Sequence, residues 1–218
     1  MTRYNVIDLF CGAGGFSKGF YDLGFNIVLG LDNFEPVART FKFNFSNSIV
    51  ICEDIRNVYS DEILTYLKGK VPHIIIGSPP CEPFTAANPN RKESPLDRLY
   101  VDLQGQLTLE FIRIVKQLKP EIFIMENVPQ IMENGLKKAL IREFKDAGYN
   151  RVFFNILRAE DYGTPSHRIE QARLMGYPDN FVFLGGRDVQ YNQVGESVPV
   201  PLSRSIAEVV LEYLTSRN

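Results

Sequence analysis

The chain has 218 residues, of which 44% are hydrophobic and 23% are charged. These values are typical of a globular protein, and they exclude a disordered, collagen-like or coiled-coil chain. The length fits a single α/β domain over residues 1–218. Lys and Arg number 24 against 26 Asp and Glu, a formal charge of −2, so any nucleic-acid surface must be local. No apolar run approaches the roughly 20 residues that a membrane span needs.

The cysteine count indicates the compartment. Cys11, Cys52 and Cys81 are an odd number, and no apolar signal stands at the N-terminus of the sequence. Paired disulfides of a secreted protein are therefore not indicated, and we expect reduced thiols in a cytoplasm.

The first 157 residues alternate short apolar runs with helical patterns, which is typical of parallel strands joined by crossover helices. Strands are predicted at residues 4–10, 26–31, 48–52, 73–77, 121–126 and 151–157. Helices are predicted at residues 15–23, 35–45, 60–67, 99–118 and 135–147. The alternation ends after residue 157. The predicted fold class is therefore α/β, with a doubly wound and mostly parallel sheet.

The first predicted strand ends in a glycine-rich turn. Gly12, Gly14 and Gly15 allow a ligand to approach the backbone closely at a helix N-terminus, and Asp32 follows Gly12 by 20 residues, where a ribose-binding carboxylate is expected. A dinucleotide turn would want a third glycine at position 17, which is Ser17. The pattern favours an adenosine cofactor without a diphosphate over NAD. The alternative is a turn that only packs a strand against a helix.

Acidic residues follow the second and third strands. Asp32 and Asp54 each come directly after an apolar run, and either one alone is best explained as a helix N-cap. Because the carboxyl ends of parallel strands meet at one edge of the sheet, the pair is also suited to binding ribose hydroxyls and an adenine amino group.

The fourth and fifth strands end in a thiol and a carboxyl group. Cys81 follows two prolines in a polar loop, which indicates a reactive thiol, whereas Cys11 and Cys52 lie at or near apolar strands and are predicted to be structural. Glu126 ends an apolar strand, where partial burial would raise its pKa and favour proton donation, although it is also suited to capping a helix. This pair facing an adenosine cofactor indicates covalent activation of an electron-poor ring.

Several motifs in order resemble those of the cytosine-C5 DNA methyltransferases. They are DLFCGAGGF at residues 8–16, PPC followed by EPF at 79–84, DLQGQL at 102–107, ENV at 126–128, AEDYGTPSHR at 159–168, EQARLMGYPD at 170–179 and YNQVGESVP at 191–199. The resemblance covers nearly the whole chain. It implies a Rossmann-like fold of the S-adenosylmethionine-dependent methyltransferase type.

The resemblance also implies the site residues. Cys81 would attack C6 of a cytosine flipped out of DNA, Glu126 would protonate or hydrogen-bond N3, and Arg168 would contact the base or the intermediate. No metal is implied, and the loop at residues 82–95 would be a mobile element that closes over the site. The cofactor would be S-adenosylmethionine, leaving as S-adenosylhomocysteine, with contacts at Phe10, Gly12, Ala13, Gly15, Asp32, Asn33, Asp54, Ile55, Pro80, Leu107, Ser197 and Val198.

The chain departs from the family pattern after the arginine motif. The family carries a long target-recognition segment there, whereas only Ile169 separates Arg168 from Glu170. Residues 170–179 are therefore interpreted as the motif that organises the recognition region, in a helix. The alternative makes residues 171–175 the strand that completes the sheet.

Three single positions also differ from the family pattern. Ser166 replaces the usual Gln, Glu170 replaces an Arg, and Glu196 replaces an Asn beside the expected cofactor carboxylate, where it would lower cofactor affinity. Basic side chains that would meet DNA phosphates, or else be simply solvated, are Arg91, Lys92, Arg98 and Arg168.

Four functions follow from these observations. The leading one is a DNA cytosine-C5 methyltransferase core. The second is a silent or half-enzyme module that needs a partner chain for target recognition. The third keeps the chemistry but acts on RNA, and the fourth is an NAD oxidoreductase.

Overall fold

A computed structural model describes residues 4–133, 135–163 and 175–217. Its centre is a five-stranded parallel sheet in the order β3-β2-β1-β4-β5. The strands are β1 (Asn5–Leu9), β2 (Asn26–Asp32), β3 (Ile49–Cys52), β4 (Ile74–Gly77) and β5 (Ile122–Met125). The first five predicted strands and the doubly wound parallel fold are therefore confirmed.

Helices connect the strands and cover both faces of the sheet. They are α1 (Gly15–Asp22), α2 (Glu35–Asn44), α3 (Ser60–Leu67), α4 (Pro95–Tyr100), α5 (Gln106–Leu118), α6 (Leu136–Asp146), α7 (Arg187–Gly195) and α8 (Val200–Thr215). Short 3-10 turns lie at Ile55–Asn57, Pro129–Met132 and Ala159–Tyr162.

Two apolar cores lie on opposite faces because side chains alternate along each strand. Ile7 of β1 belongs to the core formed with α3, α5 and α6, where Phe111 and Phe144 are fully buried. Val6 of β1 belongs to the core formed with α1, α2 and α8, which contains Phe20. Strands buried on both faces explain the continuous apolar runs of the sequence.

The predicted long helix at residues 99–118 is wrong, because two helices occupy this region. The side-chain Oδ1 of Asp102 accepts hydrogen bonds from the backbone amides of Gln104 at 2.9 Å and Gly105 at 3.0 Å. Such a local bond competes with helical pairing and ends the helix. The interruption between α4 and α5 places residues 101–104, of which three are exposed, beside the loop that follows Cys81.

The predicted strand at residues 151–157 is also wrong, since this stretch has no regular secondary structure. A strand needs a neighbour to share backbone hydrogen bonds, and within the described ranges β5 pairs with β4 alone. Phe153 is 80% exposed, while Val152 and Phe154 still pack against the core. The predicted motif at residues 170–179, and its alternative as a strand, lie largely outside the described residues.

The two cysteines predicted to be structural differ in burial. Cys11 is buried in the core of the α1 face, as expected. The prediction is wrong for Cys52, which is exposed. Cys52 is the last residue of β3, and β3 lies at one edge of the sheet, so its side chain is not covered.

Candidate active site at the carboxyl ends of the strands

The glycine-rich turn after β1 has an unusual backbone. Phe10 has a φ of 60° and Gly12 a φ of 51°, and the turn is closed by a bond from the Gly14 amide to the Cys11 carbonyl at 2.9 Å. A positive φ is costly for a phenylalanine and typical of functional sites. Nothing lies within 4 Å of the position that a Cβ of Gly12 would occupy. The backbone of the turn is therefore open to a ligand.

Asp32 lies directly beside this turn. Its Oδ2 accepts a hydrogen bond from the Gly12 amide at 2.9 Å, and its Oδ1 accepts one from the Phe34 amide at 3.0 Å. Burial raises the pKa of the Asp32 carboxyl group, and these backbone donors act against that rise. Each carboxylate oxygen can accept a further bond, so Asp32 both fixes the turn and faces the same space.

Asp54 has the capping role that the sequence left open. Its Oδ1 accepts from the Arg56 amide at 3.0 Å and begins the turn at Ile55–Asn57, and its Oδ2 contacts Nη1 of Arg56 at 3.1 Å. The Arg56 guanidinium continues to the carbonyl of Leu103 at 2.9 Å. Both oxygens of Asp54 are engaged locally, and Ile55 is buried beneath them.

The C-terminal segment packs against the glycine-rich turn. A Cβ on Gly15 would lie 2.4 Å from the carbonyl oxygen of Val198 and 2.5 Å from the hydroxyl of Tyr177. Tyr177 donates to Oγ of Ser197 at 2.7 Å. The first and last motifs thus form one surface, although Gly15 and Val198 are 183 positions apart in the sequence.

The remaining residues that were predicted to bind the cofactor differ in burial. Ala13 is buried, Asn33 is exposed, and Pro80 and Leu107 are half-buried. Residues 10–15 follow β1, residues 32–33 lie at the end of β2, residues 54–55 follow β3 and Pro80 follows β4, so the parallel strands bring these residues to one edge of the sheet.

Cys81 and Glu126 follow the neighbouring strands β4 and β5. Glu126 donates its backbone amide to the carbonyl of Gly77 at 2.9 Å, and the Asn127 side chain donates to the carbonyl of Pro79 at 2.9 Å. These two bonds join the segment that carries the thiol to the segment that carries the carboxyl group. The juxtaposition predicted from the sequence is present.

The electrostatics of this pair favour the neutral forms. Burial raises the pKa of the Cys81 thiol, and the carboxylates of Glu82, Glu126 and Glu196 raise it further. Burial also raises the pKa of Glu126, with a smaller opposing effect from Ser78. A raised pKa makes a carboxyl group better suited to donating a proton or a hydrogen bond.

The four basic side chains that were predicted to meet DNA phosphates have different outcomes. Arg98 is 5% exposed and its Nη1 lies 2.8 Å from Oε2 of Glu133, so the prediction that it meets phosphates is wrong. Arg168 lies outside the described residues, as do Ser166 and Glu170. Lys92 is exposed, and Arg91 is half-buried near Glu133.

The sequence reasoning missed a buried acid beneath the turn. Asp8 is 1% exposed and accepts a 2.7 Å hydrogen bond from the hydroxyl of Ser17. Burial raises the pKa of Asp8 to about 7, and the charge of Asp32 adds to this rise. The sequence signal for this buried acid is the single charged residue, Asp8, within the apolar run of β1.

The described ranges contain neither a metal-binding cluster nor a membrane-spanning helix. No group of three or more His, Cys, Asp and Glu side chains there has a metal-binding arrangement. No helix there is long and apolar enough to cross a membrane.

The parallel sheet and its strand-end site define a Rossmann-like methyltransferase. Residues 4–169 and 167–212 match the sequence profile of the family described as C-5 cytosine-specific DNA methylase. The chain therefore belongs to this family.

The chain is also similar to known methyltransferases in sequence and in structure. A protein of Methanocaldococcus jannaschii named as type II methyltransferase M.MJ0563P is 36% identical over an alignment of 313 residues, with 96% of this chain and 100% of that protein covered. A DNA modification methyltransferase encoded within a prophage of E. coli has 30% identity and a TM-score of 0.61, with 74% of this chain and 43% of that chain covered. The methyltransferase EhMeth of Entamoeba histolytica has a TM-score of 0.72 over 98% of this chain and 99% of its own, and its 16% identity shows a shared fold alone.

Proposed function

We propose that this chain transfers a methyl group from S-adenosylmethionine to C5 of cytosine in DNA through a covalent adduct with Cys81. The observation that carries the proposal is the pairing of Cys81 and Glu126 on neighbouring strand ends, with the Asn127 side chain bonded to the carbonyl of Pro79. The family membership of the chain supports a DNA methyltransferase.

The residues of the turn fit an adenosine cofactor. The backbone at Gly12 is open, and the Asp32 carboxylate beside it has free acceptor capacity for ribose hydroxyls. Contacts further along the site would come from Phe10, Ala13, Gly15, Asn33, Asp54, Ile55, Pro80, Leu107, Ser197 and Val198. When bound, S-adenosylmethionine supplies an electrophilic methyl group on a positively charged sulfur.

The Cys81 thiolate forms a bond to C6 of the base, and the electron pair of the C5–C6 double bond is released toward C5. Protonated Glu126 donates to N3 and stabilises the charge that develops on the ring. The electron pair at C5 would then bond to the methyl carbon, and the bond from that carbon to the sulfonium would break and leave neutral S-adenosylhomocysteine. Loss of the C5 proton to a base restores the double bond and breaks the bond between sulfur and C6, which returns the thiolate.

Glu126 also controls the state of the thiol. Its negative charge raises the pKa of Cys81, so neutral Glu126 at N3 makes the thiolate easier to form. The two groups act together only when a base occupies the space between them. The chemistry requires the cytosine to leave the duplex, because C6 is inaccessible within stacked bases.

Target recognition is the second part of the proposal. The two matched stretches of the family profile meet at residues 167–169, and the alignment with the Methanocaldococcus protein extends over more positions than this chain has residues. Both facts support our proposal that the single domain lacks a target-recognition segment between Arg168 and Glu170. The enzyme then acts with little sequence selectivity or with a partner chain that supplies recognition.

We place the reaction in the cytoplasm, where the three free thiols of the chain stay reduced.

The test is transfer of a labelled methyl group from S-adenosylmethionine to mixed genomic DNA, with total RNA in parallel. Label on DNA cytosine supports the proposal, and label on RNA alone favours the RNA alternative. Cofactor binding with no label on either nucleic acid favours the half-enzyme alternative. Binding of NAD without binding of S-adenosylmethionine would contradict the methyltransferase itself.

A further inference from the structure

The loop at residues 82–95, which we call the nucleophile loop, is fastened at its start. The Cys81 carbonyl accepts hydrogen bonds from the amides of Phe84 at 2.9 Å and Thr85 at 3.0 Å, and the Phe84 side chain is fully buried. The Asn88 side chain donates to the carbonyl of Glu82 at 2.9 Å. The position of the thiol therefore depends on how this loop is held.

Arg98 of α4 holds the other end of the nucleophile loop. Its Nε donates to the carbonyl of Lys92 at 2.7 Å, and its Nη2 donates to the carbonyl of Glu93 at 3.1 Å. Its Nη1 donates to Oε2 of Glu133 at 2.8 Å. The planar guanidinium thus uses each of its three nitrogens on a different acceptor, which a lysine cannot reproduce.

Glu133 belongs to the segment that carries Glu126. The turn at Pro129–Met132 starts three residues after Glu126 and is fixed by the buried Ile131, whose amide donates to the carbonyl of Val128 at 3.0 Å. The Glu133 amide donates to the carbonyl of Gln130 at 3.0 Å. The carboxylate that receives Arg98 is therefore linked through a short fixed segment to the proposed acid.

We infer that Arg98 is a positioning residue that holds the nucleophile loop against the segment that carries Glu126. It does so by donating to the carbonyls of Lys92 and Glu93 and to the carboxylate of Glu133, a set of bonds that we call the Arg98 clamp. The inference rests on the proposed function for the roles of Cys81 and Glu126. The bond from Asn127 to Pro79 fastens the two segments near the strands, and the Arg98 clamp fastens them at the far end of the loop.

The burial of Arg98 argues that the clamp is closed in the folded protein. A buried guanidinium is costly unless its charge is paired and its donors are satisfied, and Glu133 with the two carbonyls meets that need. Arg91 supports the same acceptor more loosely, since its Nη1 lies 4.0 Å from Oε1 of Glu133 and 3.3 Å from the Phe84 carbonyl. Opening the loop therefore means giving up the bonds to Arg98.

The test compares Arg98→Met, Arg98→Lys and Glu133→Gln in a Cys52→Ser background, so that Cys81 is the reactive thiol that remains accessible. The control is Arg113→Met, because Arg113 likewise donates to two carbonyls, of Ile55 at 2.8 Å and Val58 at 3.0 Å, and makes no bond to the nucleophile loop that the structure shows. Amide hydrogen exchange of residues 82–95 and the rate of Cys81 alkylation are measured in the full chain.

We expect Arg98→Met to raise loop exchange by about tenfold or more, the effect of losing hydrogen bonds to a charged group, and to speed Cys81 alkylation. Amide exchange of the loop should be slower in Arg98→Lys than in Arg98→Met. Exchange in Glu133→Gln should be faster than in the unsubstituted loop, but slower than in Arg98→Met. A double variant of Arg98→Met and Glu133→Gln should be no worse than Arg98→Met, since both act through one contact. Arg113→Met should leave exchange of the loop unchanged.

Unchanged loop exchange and alkylation in both Arg98→Met and Glu133→Gln would overturn the inference. If Arg98→Met fails to fold, the half-exposed Glu133 still allows the test, and unchanged exchange in Glu133→Gln alone would overturn it. These measurements need no methyl transfer, so they are separate from the proposed function, which fails if Cys81→Ser still transfers methyl. Where transfer is measured, Arg98→Lys should lower kcat and leave the KM for S-adenosylmethionine unchanged.

Discussion

The amide of Gly12 donates to the carboxylate of Asp32 across 2.9 Å, which joins the turn after β1 to the end of β2. The same carboxylate also receives the Phe34 amide at the start of α2. One acid thus organises the backbone of the glycine-rich turn, and each of its oxygens keeps capacity to accept a further bond from the proposed cofactor.

Replacing Asp32 should weaken cofactor binding. We expect Asp32→Ala to lower the affinity for S-adenosylmethionine by about tenfold or more, because bonds to a charged acceptor are lost and the turn loses its anchor. Isothermal titration calorimetry measures the change, with Asp61→Ala on the exposed face of α3 as the matched control. An unchanged affinity in folded Asp32→Ala would mean that the carboxylate only organises the turn.

Filling the contact between the first and last motifs should be destabilising. In Gly15→Ala the new methyl group would meet the Val198 carbonyl at 2.4 Å and the Tyr177 hydroxyl at 2.5 Å. Overpacking of this kind costs about 1–3 kcal/mol, which denaturant titration can resolve. Gly195→Ala is the control, because nothing lies within 4 Å of its Cβ position. Equal stability of the two variants would show that the C-terminal segment is not held against the turn.

The sequence predicted the five strands and the site at their ends because both depend on local pattern. Short apolar runs followed by Gly, Asp or Glu were enough to predict these strands, and the carboxyl ends of parallel strands meet at one edge. The buried Arg98 was not predictable in this way, since its burial depends on Glu133, 35 positions further along the chain. The break between α4 and α5 depends on one side-chain conformation, that of Asp102. The failed strand at residues 151–157 depends on a neighbour that its own residues do not specify.

The buried Asp8 should make stability fall as pH rises. Its pKa of about 7 in the folded protein exceeds its ordinary value of 3.8, so the folded state binds more protons between these values. Stability from this group is therefore fully present below about pH 4 and lost as pH rises to about 7. The total is on the order of 4 kcal/mol.

Asp8→Asn isolates this effect, because an amide keeps the shape of the neutral acid and cannot ionise. We expect the variant to be more stable than the wild type above pH 7, and we expect the difference to shrink as pH falls toward 4. Chemical denaturation at several pH values gives the comparison. A difference between the two proteins that does not vary with pH would exclude a raised pKa at Asp8.

The reactivity of Cys81 should respond to its acidic neighbours. Burial raises the thiol pKa first, and the charges of Glu82 and Glu126 raise it further, so removing either charge lowers the pKa. In a Cys52→Ser background, Glu82→Gln and Glu126→Gln should therefore shift the pH profile of alkylation toward lower pH. Glu62→Gln on α3 serves as a control with no expected shift. A profile that stays in place in both variants would contradict the proposed electrostatic coupling.

The covalent role of Cys81 is tested most directly by intact mass measurement after incubation with S-adenosylmethionine and a duplex that carries 5-fluorocytosine. Fluorine at C5 cannot leave as a proton does, so an adduct that forms after methyl transfer cannot resolve. The account predicts a mass increase equal to one methylated DNA strand per protein, present in Cys52→Ser and absent in Cys81→Ser. Methyl transfer to ordinary DNA that persists in Cys81→Ser, with no adduct on the fluorinated duplex, would contradict it.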